Sequence, residues 1–133
     1  MTLTGKRVLV VEDESLVSML IEEFLEDIGC TVAAVAGKPD EASQLIETVP
    51  VDLVVLDVNL NGTPSYGIAS LLGRRGVPFV LATGYGGTAL PADLQSAYVL
   101  AKPFTREQLE AALTAVWERR PSPTSPTNTD TAN

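Results

Sequence analysis

The sequence contains no histidine and only one cysteine among its 133 residues. Without histidine the chain cannot form a histidine-ligated metal site, use a histidine general base or carry a phosphohistidine of its own. A single cysteine, Cys30, cannot form an intramolecular disulfide, and we interpret it as a small buried hydrophobic residue rather than a redox centre. Aromatic residues make up 5% of the chain and hydrophobic residues 45%. The core is therefore aliphatic, which is typical of parallel sheets covered by helices.

Positive charge and long apolar runs are also scarce. Nine lysine and arginine residues stand against 17 aspartate and glutamate residues, which gives a net charge of −8. This charge repels nucleic-acid phosphates and anionic lipids, so we expect no nucleic acid and no membrane as partners. No apolar run has the length of a membrane span, and the N-terminal residues lack the apolar region of a signal peptide. We therefore predict a cytoplasmic protein.

Short aliphatic runs alternate with helical patterns along most of the chain. Strands are predicted at 7–11, 31–36, 52–57, 79–82 and 98–101. Helices are predicted at 15–28, from Pro39, around 68–72 and from Thr105, with a short or mobile helix after the glycines that follow Thr83. This alternation predicts an α/β fold, a doubly wound five-stranded parallel sheet of order 2-1-3-4-5. Residues 1–120 form one domain, and residues 121–133, with almost no apolar side chains, are predicted to be a disordered tail.

Two local patterns refine this prediction. Asparagine, glycine and proline between residues 59 and 64 predict a turn-rich loop after the third strand. The apolar spacing of the first helix predicts one buried face made of Val17, Leu20, Ile21, Phe24, Leu25 and Ile28.

Polar side chains with complementary chemistry stand where four of the strands end. These residues are Glu12 and Asp13 after the first strand, Asp57 at the end of the third, Thr83 after the fourth and Lys102 after the fifth. Taken singly, such an aspartate is more often a turn former or helix cap, and such a lysine is simply solvated. Ligands of open parallel sheets, however, bind outside the carboxyl ends of the strands. The joint pattern therefore favours one pocket in which all these side chains meet.

Carboxylates held close together repel each other unless a cation lies between them. Mg²⁺ suits an exposed oxygen-rich loop, with Asp13 and Asp57 as direct ligands, the main-chain oxygen of Asn59 as a third and Glu12 acting through water. Asp57 would keep a free oxygen that can act as a nucleophile towards a phosphoryl group. Lys102 would neutralise the transferred oxygens and Thr83 would donate its hydroxyl, while Gly84 leaves the access path open.

As a set, these residues and the Lys102-Pro103 pair resemble the receiver domain of bacterial two-component response regulators, over about residues 5–120. The resemblance implies the flavodoxin-like receiver fold and a phosphoacceptor Asp57, served by the phosphohistidine of a sensor histidine kinase in a Mg²⁺-dependent reaction. It also implies a cis peptide before Pro103. Such a domain catalyses its own phosphotransfer and autodephosphorylation and is not an enzyme acting on a separate substrate.

The chain departs from the usual receiver pattern in the residues that report phosphorylation. Asn61 stands where receivers commonly have proline, and Val99 stands where they place an aromatic switch residue, while Tyr98 is expected to face another way. The segment LATG resembles the FATG motif of a divergent alphaproteobacterial subgroup, whose members are often free-standing receivers served by HWE-type or related histidine kinases. In typical receivers, the threonine at the position of Thr83 and the aromatic residue at the position of Val99 act together in switching. Our hypothesis is that Gly84, Tyr85 and the adjacent glycines take over part of this switching in the present chain.

Most response regulators carry an output domain after the receiver, but no folded segment is predicted after Arg120. The resemblance then implies signalling by protein contact, with a downstream target or with a second copy as a phosphorylation-dependent dimer. A phosphate sink, or a phosphorelay intermediate that exchanges with a histidine phosphotransfer protein, uses the same residues and stays open. A remote alternative is a haloacid-dehalogenase-like phosphohydrolase, but that family needs a second aspartate where this chain has Asn59.

Overall fold

The protein, described here from a computed structural model for residues 3–84 and 90–120, is a parallel sheet between two layers of helices. The elements are β1 Arg7–Val11, α1 Ser15–Ile28, β2 Thr31–Ala36, α2 Pro39–Thr48, β3 Leu53–Asp57, β4 Asn59–Leu60, β5 Thr63–Pro64, α3 Tyr66–Arg75, β6 Phe79–Thr83, β7 Tyr98–Ala101 and α4 Arg106–Glu118. The main sheet has the order β2-β1-β3-β6-β7 with all pairs parallel. This order confirms the predicted doubly wound α/β fold. The predicted tail, 121–133, lies outside the described residues.

Strand β3 runs through the centre of the core and is buried along its whole length. Leu53 and Val55 belong to the cluster that the sheet forms with α1 and α4, whereas Val54 and Leu56 belong to the cluster on the α2 and α3 side. The side chains of a strand alternate between its two faces, so a strand covered on both faces needs an unbroken aliphatic run. Asp57 closes this run while still buried, at 6% exposure.

The boundaries predicted for α1 are confirmed, and Gly29 ends the helix with a positive φ of 104°. The buried face was predicted wrongly at Leu20, which is 47% exposed. Ser18 is buried instead, and its hydroxyl is satisfied because it donates to the main-chain oxygen of Ser15. The helix thus has a second apolar stripe facing outward, formed by Leu16, Met19 and Leu20 at 81%, 57% and 47% exposure. We call these three residues the α1 stripe.

The segment after β3 is more regular than the predicted loop. β4 and β5 pair as an antiparallel hairpin, with Asn59 opposite Pro64 and Leu60 opposite Thr63. Asn61 and Gly62 both have positive φ, 53° and 88°, as the tightest two-residue hairpin turns require. The Asn-Gly pair was the sequence signal for this hairpin. Leu60 is 2% exposed and anchors the hairpin to the core on the α2 and α3 side.

Helix α4 begins after Thr105, as predicted, and its N-terminus is closed by a capping box. Gln108 N–H donates to Thr105 Oγ1 at 3.0 Å, and Thr105 N–H donates to Gln108 Oε1 at 2.8 Å. Between β6 and β7 the described residues 90–97 contain one short 3₁₀ turn, Ala92–Leu94, and the rest of the predicted fourth helix, at 85–89, lies outside the described residues. No helix in the described ranges is long and apolar enough to cross a bilayer.

Cys30 lies in the core between α1 and β2. It is 7% exposed, and its thiol donates weakly to the main-chain oxygen of Leu3 at 3.6 Å. Burial raises the pKa of this thiol to about 11. Because the thiolate is the reactive form, these features agree with the interpretation of Cys30 as a buried hydrophobic residue.

Candidate functional site

The parallel register brings the four polar strand ends to one edge of the sheet. Leu56 lies beside Val11 of β1, Asp57 lies beside Ala82 of β6, and Thr83 lies beside Ala101 of β7. The main chain ties the last pair further, since the N–H of the next residue, Lys102, donates to the Thr83 oxygen at 2.8 Å. The resulting pocket has a volume of about 390 Å³ and is lined by Asp13, Asp57, Asn59, Thr83, Gly84 and Lys102, among others.

Lys102 forms ion pairs with two carboxylates at this pocket. Its Nζ lies 2.7 Å from Glu12 Oε1 and 3.1 Å from Asp57 Oδ2. Burial alone would lower the pKa of Lys102, but the hydrogen bonds to Glu12 and Asp57 outweigh it and raise the pKa. The Lys102 ammonium is therefore held in its charged form next to the two buried carboxylates.

Glu12, the predicted water-mediated partner of the metal, also forms direct hydrogen bonds. It is 3% exposed and accepts the N–H of Glu14 at 3.2 Å in addition to the Lys102 ammonium. Burial raises the pKa of the Glu12 carboxyl, the nearby Asp57 charge adds to that rise, and the hydrogen bond from Lys102 opposes it. The positive charge of Lys102 thus only partly offsets the negative charges of Glu12 and Asp57.

Both carboxylate oxygens of Asp57 have a donor within hydrogen-bonding distance. Oδ2 faces Lys102, and Oδ1 accepts the N–H of Asn59 at 3.1 Å. The main-chain oxygen of Asp57 accepts the hydroxyl of Ser65, which is 1% exposed. The aspartate is therefore held at its side chain and at its main chain while its carboxylate faces the pocket.

The acidic side chains are close enough to share a cation. Glu12, Asp13 and Asp57 each place a carboxylate oxygen within 4.8 Å of the others. When all three are ionised, the single ammonium of Lys102 leaves an excess of negative charge among these four groups. Hard oxygen donors with uncompensated negative charge are what Mg²⁺ prefers in proteins. The donor set therefore fits the predicted metal.

The remaining predicted residues fall into four groups. Gly84 and Asn59 line the pocket as expected. Val99 is 42% exposed on β7, whereas Tyr98 packs against the cluster that contains α1 and α4, so the two face different ways as predicted. Pro103 follows a cis peptide, as the resemblance implied. Tyr85 and the glycines after it lie outside the described residues.

Sequence reasoning missed two features next to the site. Ser65 stands directly before α3, where serine is ordinarily a helix cap, so nothing in the sequence alone connected it to Asp57. The α1 stripe was partly assigned to the core because Leu20 has the spacing of a buried position. Leu16 and Met19, three residues apart on one helix face, were the available signal for an exposed stripe.

Comparison with known proteins gives a consistent result. The family model described as the response regulator receiver domain matches residues 8–114. The solution structure of SdrG from Sphingomonas melonis Fr1 is 36% identical, with a TM-score of 0.75, over 87% of this chain and 98% of SdrG. SdrG has also been solved in a BeF3-activated conformation. The receiver domain of PhyR from Erythrobacter litoralis is 26% identical, with a TM-score of 0.78, over 92% of this chain and 97% of that domain.

A further structural relative is the receiver domain of the sensor histidine kinase PA1611 from Pseudomonas aeruginosa, solved with a magnesium ion in its active site cleft. It is 26% identical with a TM-score of 0.71, over 86% of this chain and 99% of that domain. Among curated sequences, the chain spans about half the length of the first relatives it matches, which are transcriptional regulators 30% and 32% identical to it, at 57% and 55% of their lengths.

Proposed function

The chain belongs to the response regulator receiver family, and from this membership we propose that Asp57 accepts a phosphoryl group from the phosphohistidine of a sensor histidine kinase. One observation carries the proposal. The carboxylate that ends the central strand lies 3.1 Å from an ammonium and faces an open pocket together with two further acids. The shared chemistry of these groups, an oxygen nucleophile beside a cation, suits phosphoryl transfer.

In the proposed reaction, a carboxylate oxygen of Asp57 attacks the phosphorus of the donor phosphohistidine. The new P–O bond forms as the P–N bond breaks, and the imidazole leaves with the electron pair of that bond. Lys102, already charged and 3.1 Å from Asp57 Oδ2, balances the negative charge of the phosphoryl oxygens. Thr83, which ends the neighbouring strand and lines the pocket, offers its hydroxyl to a phosphoryl oxygen.

We assign the metal site to Asp13, Asp57 and the main-chain oxygen of Asn59, with Glu12 acting through water. When bound there, Mg²⁺ supplies positive charge that permits the donor phosphate to approach the acidic residues. The magnesium ion in the cleft of the related PA1611 receiver domain supports this assignment. The hydrogen bond that the Asn59 N–H donates to Asp57 Oδ1 holds these two residues together beside the pocket.

The protein then signals by a phosphorylation-dependent contact with another protein, or with a second copy of itself. We propose an HWE-type or related histidine kinase as the donor, because the LATG segment resembles the FATG motif of receivers that such kinases serve. A role as a phosphate sink or phosphorelay intermediate uses the same chemistry. The lifetime of the acyl phosphate separates these roles, because a sink hydrolyses its own acyl phosphate rapidly whereas an effector retains it.

Phosphoryl uptake tests the proposal. Incubation with acetyl phosphate and Mg²⁺ should add one phosphoryl group to the intact chain, detected by mass spectrometry. Chelation of the divalent cation should prevent the addition, because the acids around Asp57 then repel the donor phosphate. Equal uptake with and without chelator would contradict the metal assignment, and no uptake in either condition would contradict the function.

The α1 stripe is the surface that we expect the kinase to contact. Leu16 is two residues after Glu14, which lines the pocket, so the stripe begins near the pocket that holds Asp57. Exposed apolar stripes beside polar rims mark protein contacts. Replacing Leu16 and Met19 together by serine should slow phosphoryl transfer from the phosphorylated kinase by about tenfold. Uptake from acetyl phosphate should be unchanged, since a small donor needs no docking surface.

A matched control is Val35→Ser, which changes an exposed apolar residue on the edge strand β2. It should leave both reactions unchanged. A loss of transfer from both donors in the double variant would mean that the pocket itself was damaged. Normal transfer from the kinase would place the contact elsewhere.

A further inference from the structure

Ser65 is placed as a helix cap but does not act as one. It precedes the first residue of α3 and has the side chain that usually accepts an N–H of the first helical turn, yet it makes no side-chain cap. Its hydroxyl instead donates to the main-chain oxygen of Asp57. At 1% exposure the hydroxyl is shielded from water, so this hydrogen bond has little competition from solvent.

With the hydrogen bond from the Ser65 hydroxyl, both polar atoms of the peptide between Asp57 and Val58 are hydrogen-bonded. The N–H of Val58 donates to Ala82 of β6 at 2.8 Å, while the oxygen of the same peptide, that of Asp57, accepts Ser65. The peptide that joins the phosphoacceptor to the next residue is therefore held at both of its polar atoms. The orientation of this peptide fixes the backbone conformation of Asp57 and the direction in which the chain continues towards Asn59.

A second contact closes the same connection. The N–H of Ser65 donates to the Val58 oxygen at 2.9 Å. The hairpin β4–β5 is thereby closed at its base, next to Asp57. Ser65 also begins α3, because its main-chain oxygen accepts the N–H groups of Ile68 and Ala69. One residue thus joins the end of β3, the base of the hairpin and the start of α3.

We propose that Ser65 is a positioning residue for phosphoryl transfer, acting through the main chain of Asp57. Its hydroxyl keeps the peptide after Asp57 in the orientation that directs the carboxylate to Lys102 and to the Asn59 N–H. This inference rests on the proposed phosphoacceptor function. Reactions that depend on the alignment of a nucleophile are sensitive to small displacements, so loss of the hydroxyl should act on the rate of transfer.

The test compares Ser65→Ala and Ser65→Cys with the unchanged protein, using acetyl phosphate at saturating Mg²⁺. Alanine removes the donor, and cysteine keeps a similar shape with a weaker donor. The maximal rate of phosphoryl uptake should fall by about tenfold in Ser65→Ala and by less in Ser65→Cys. The acetyl phosphate concentration at half-maximal rate should change by less than about twofold, because the donor does not contact Ser65.

Ser18→Ala is the matched control. Ser18 is also buried, and its hydroxyl also donates to a main-chain oxygen, that of Ser15, but it lies in α1 and has no bond to Asp57. This variant should lose thermal stability to a similar degree and keep the uptake rate. A second readout is amide exchange at Val58 and Asn59, which should accelerate in Ser65→Ala and stay unchanged in Ser18→Ala.

Three results would overturn the inference. The first is an unchanged maximal rate in folded Ser65→Ala. The second is an equal fall in Ser18→Ala, which would show that the effect is one of general stability. If Ser65→Ala does not fold, Ser65→Cys is measured in its place. The third result is then an unchanged maximal rate in Ser65→Cys, which excludes a positioning role. Absence of uptake in the unchanged protein would instead refute the proposed function on which the inference rests.

Discussion

Asp57→Asn is expected to abolish phosphoryl uptake while leaving the fold intact. An amide has nearly the same shape as the carboxylate but lacks the anionic oxygen that attacks phosphorus. The rest of the pocket, including Lys102 and Asp13, is unchanged by this substitution. Uptake from acetyl phosphate and from a phosphorylated kinase should both fall to background by mass spectrometry.

The same variant should be at least as stable as the unchanged protein in the absence of Mg²⁺. It removes one of three carboxylates that lie within 4.8 Å of each other around a single ammonium, which relieves like-charge repulsion. Thermal denaturation with and without Mg²⁺ measures this effect. The stabilisation that Mg²⁺ gives the unchanged protein should shrink in the variant, because one ligand has lost its charge.

Asp27→Asn is the control for this prediction. Asp27 is exposed near the end of α1, so the same chemical change there should leave uptake untouched. Substantial uptake by Asp57→Asn, at a rate comparable with that of Asp27→Asn, would show that another residue is the acceptor.

Lys102→Met should give the second largest loss. Methionine keeps an unbranched stem and removes the ammonium that lies 2.7 Å from Glu12 and 3.1 Å from Asp57. We expect the rate of phosphoryl uptake to fall by about 100-fold, the effect of losing one group that stabilises charge in a transition state. The measurement is the initial rate of uptake at saturating Mg²⁺.

Metal binding should respond to Lys102→Met in the opposite direction. Removing a positive charge from the acidic cluster should strengthen Mg²⁺ binding, measured by titration calorimetry, even as the transfer rate falls. Lys38→Met, which removes an exposed ammonium from a neighbouring pocket shared with Asp13, controls for the change in overall charge. A similar loss of rate in the Lys38 variant would indicate a general field effect rather than a role of Lys102 at Asp57.

The site was predictable because strand order and chemistry depend on local features of the sequence. Aliphatic runs mark the strands, the parallel order places their carboxyl ends together, and Asp57, Thr83 and Lys102 each stand directly at such an end. The register of the strands then places these side chains at one edge of the sheet. Their convergence in the structure therefore required no information about distant packing.

Features that depend on tertiary packing were not predictable in the same way. Leu20 has the spacing of a core residue, but no element among residues 3–84 and 90–120 packs over its side of α1, so it is 47% exposed there. Ser65 has the sequence position of a helix cap, and only the approach of β3 to the start of α3 diverts its hydroxyl to Asp57. The hairpin at Asn61 and Gly62 is the intermediate case, since its turn residues were a readable signal.

The central claim is that Asp57 carries the phosphoryl group, and chemical mapping of that group tests it most directly. An acyl phosphate is reduced by borohydride to an alcohol, which converts an aspartyl phosphate to homoserine. After uptake from acetyl phosphate in Mg²⁺, reduction and peptide mass spectrometry should find homoserine at position 57 and at no other aspartate. Homoserine at position 13, or a phosphoryl group that resists reduction because it is carried on a hydroxyl such as that of Thr83, would contradict the account.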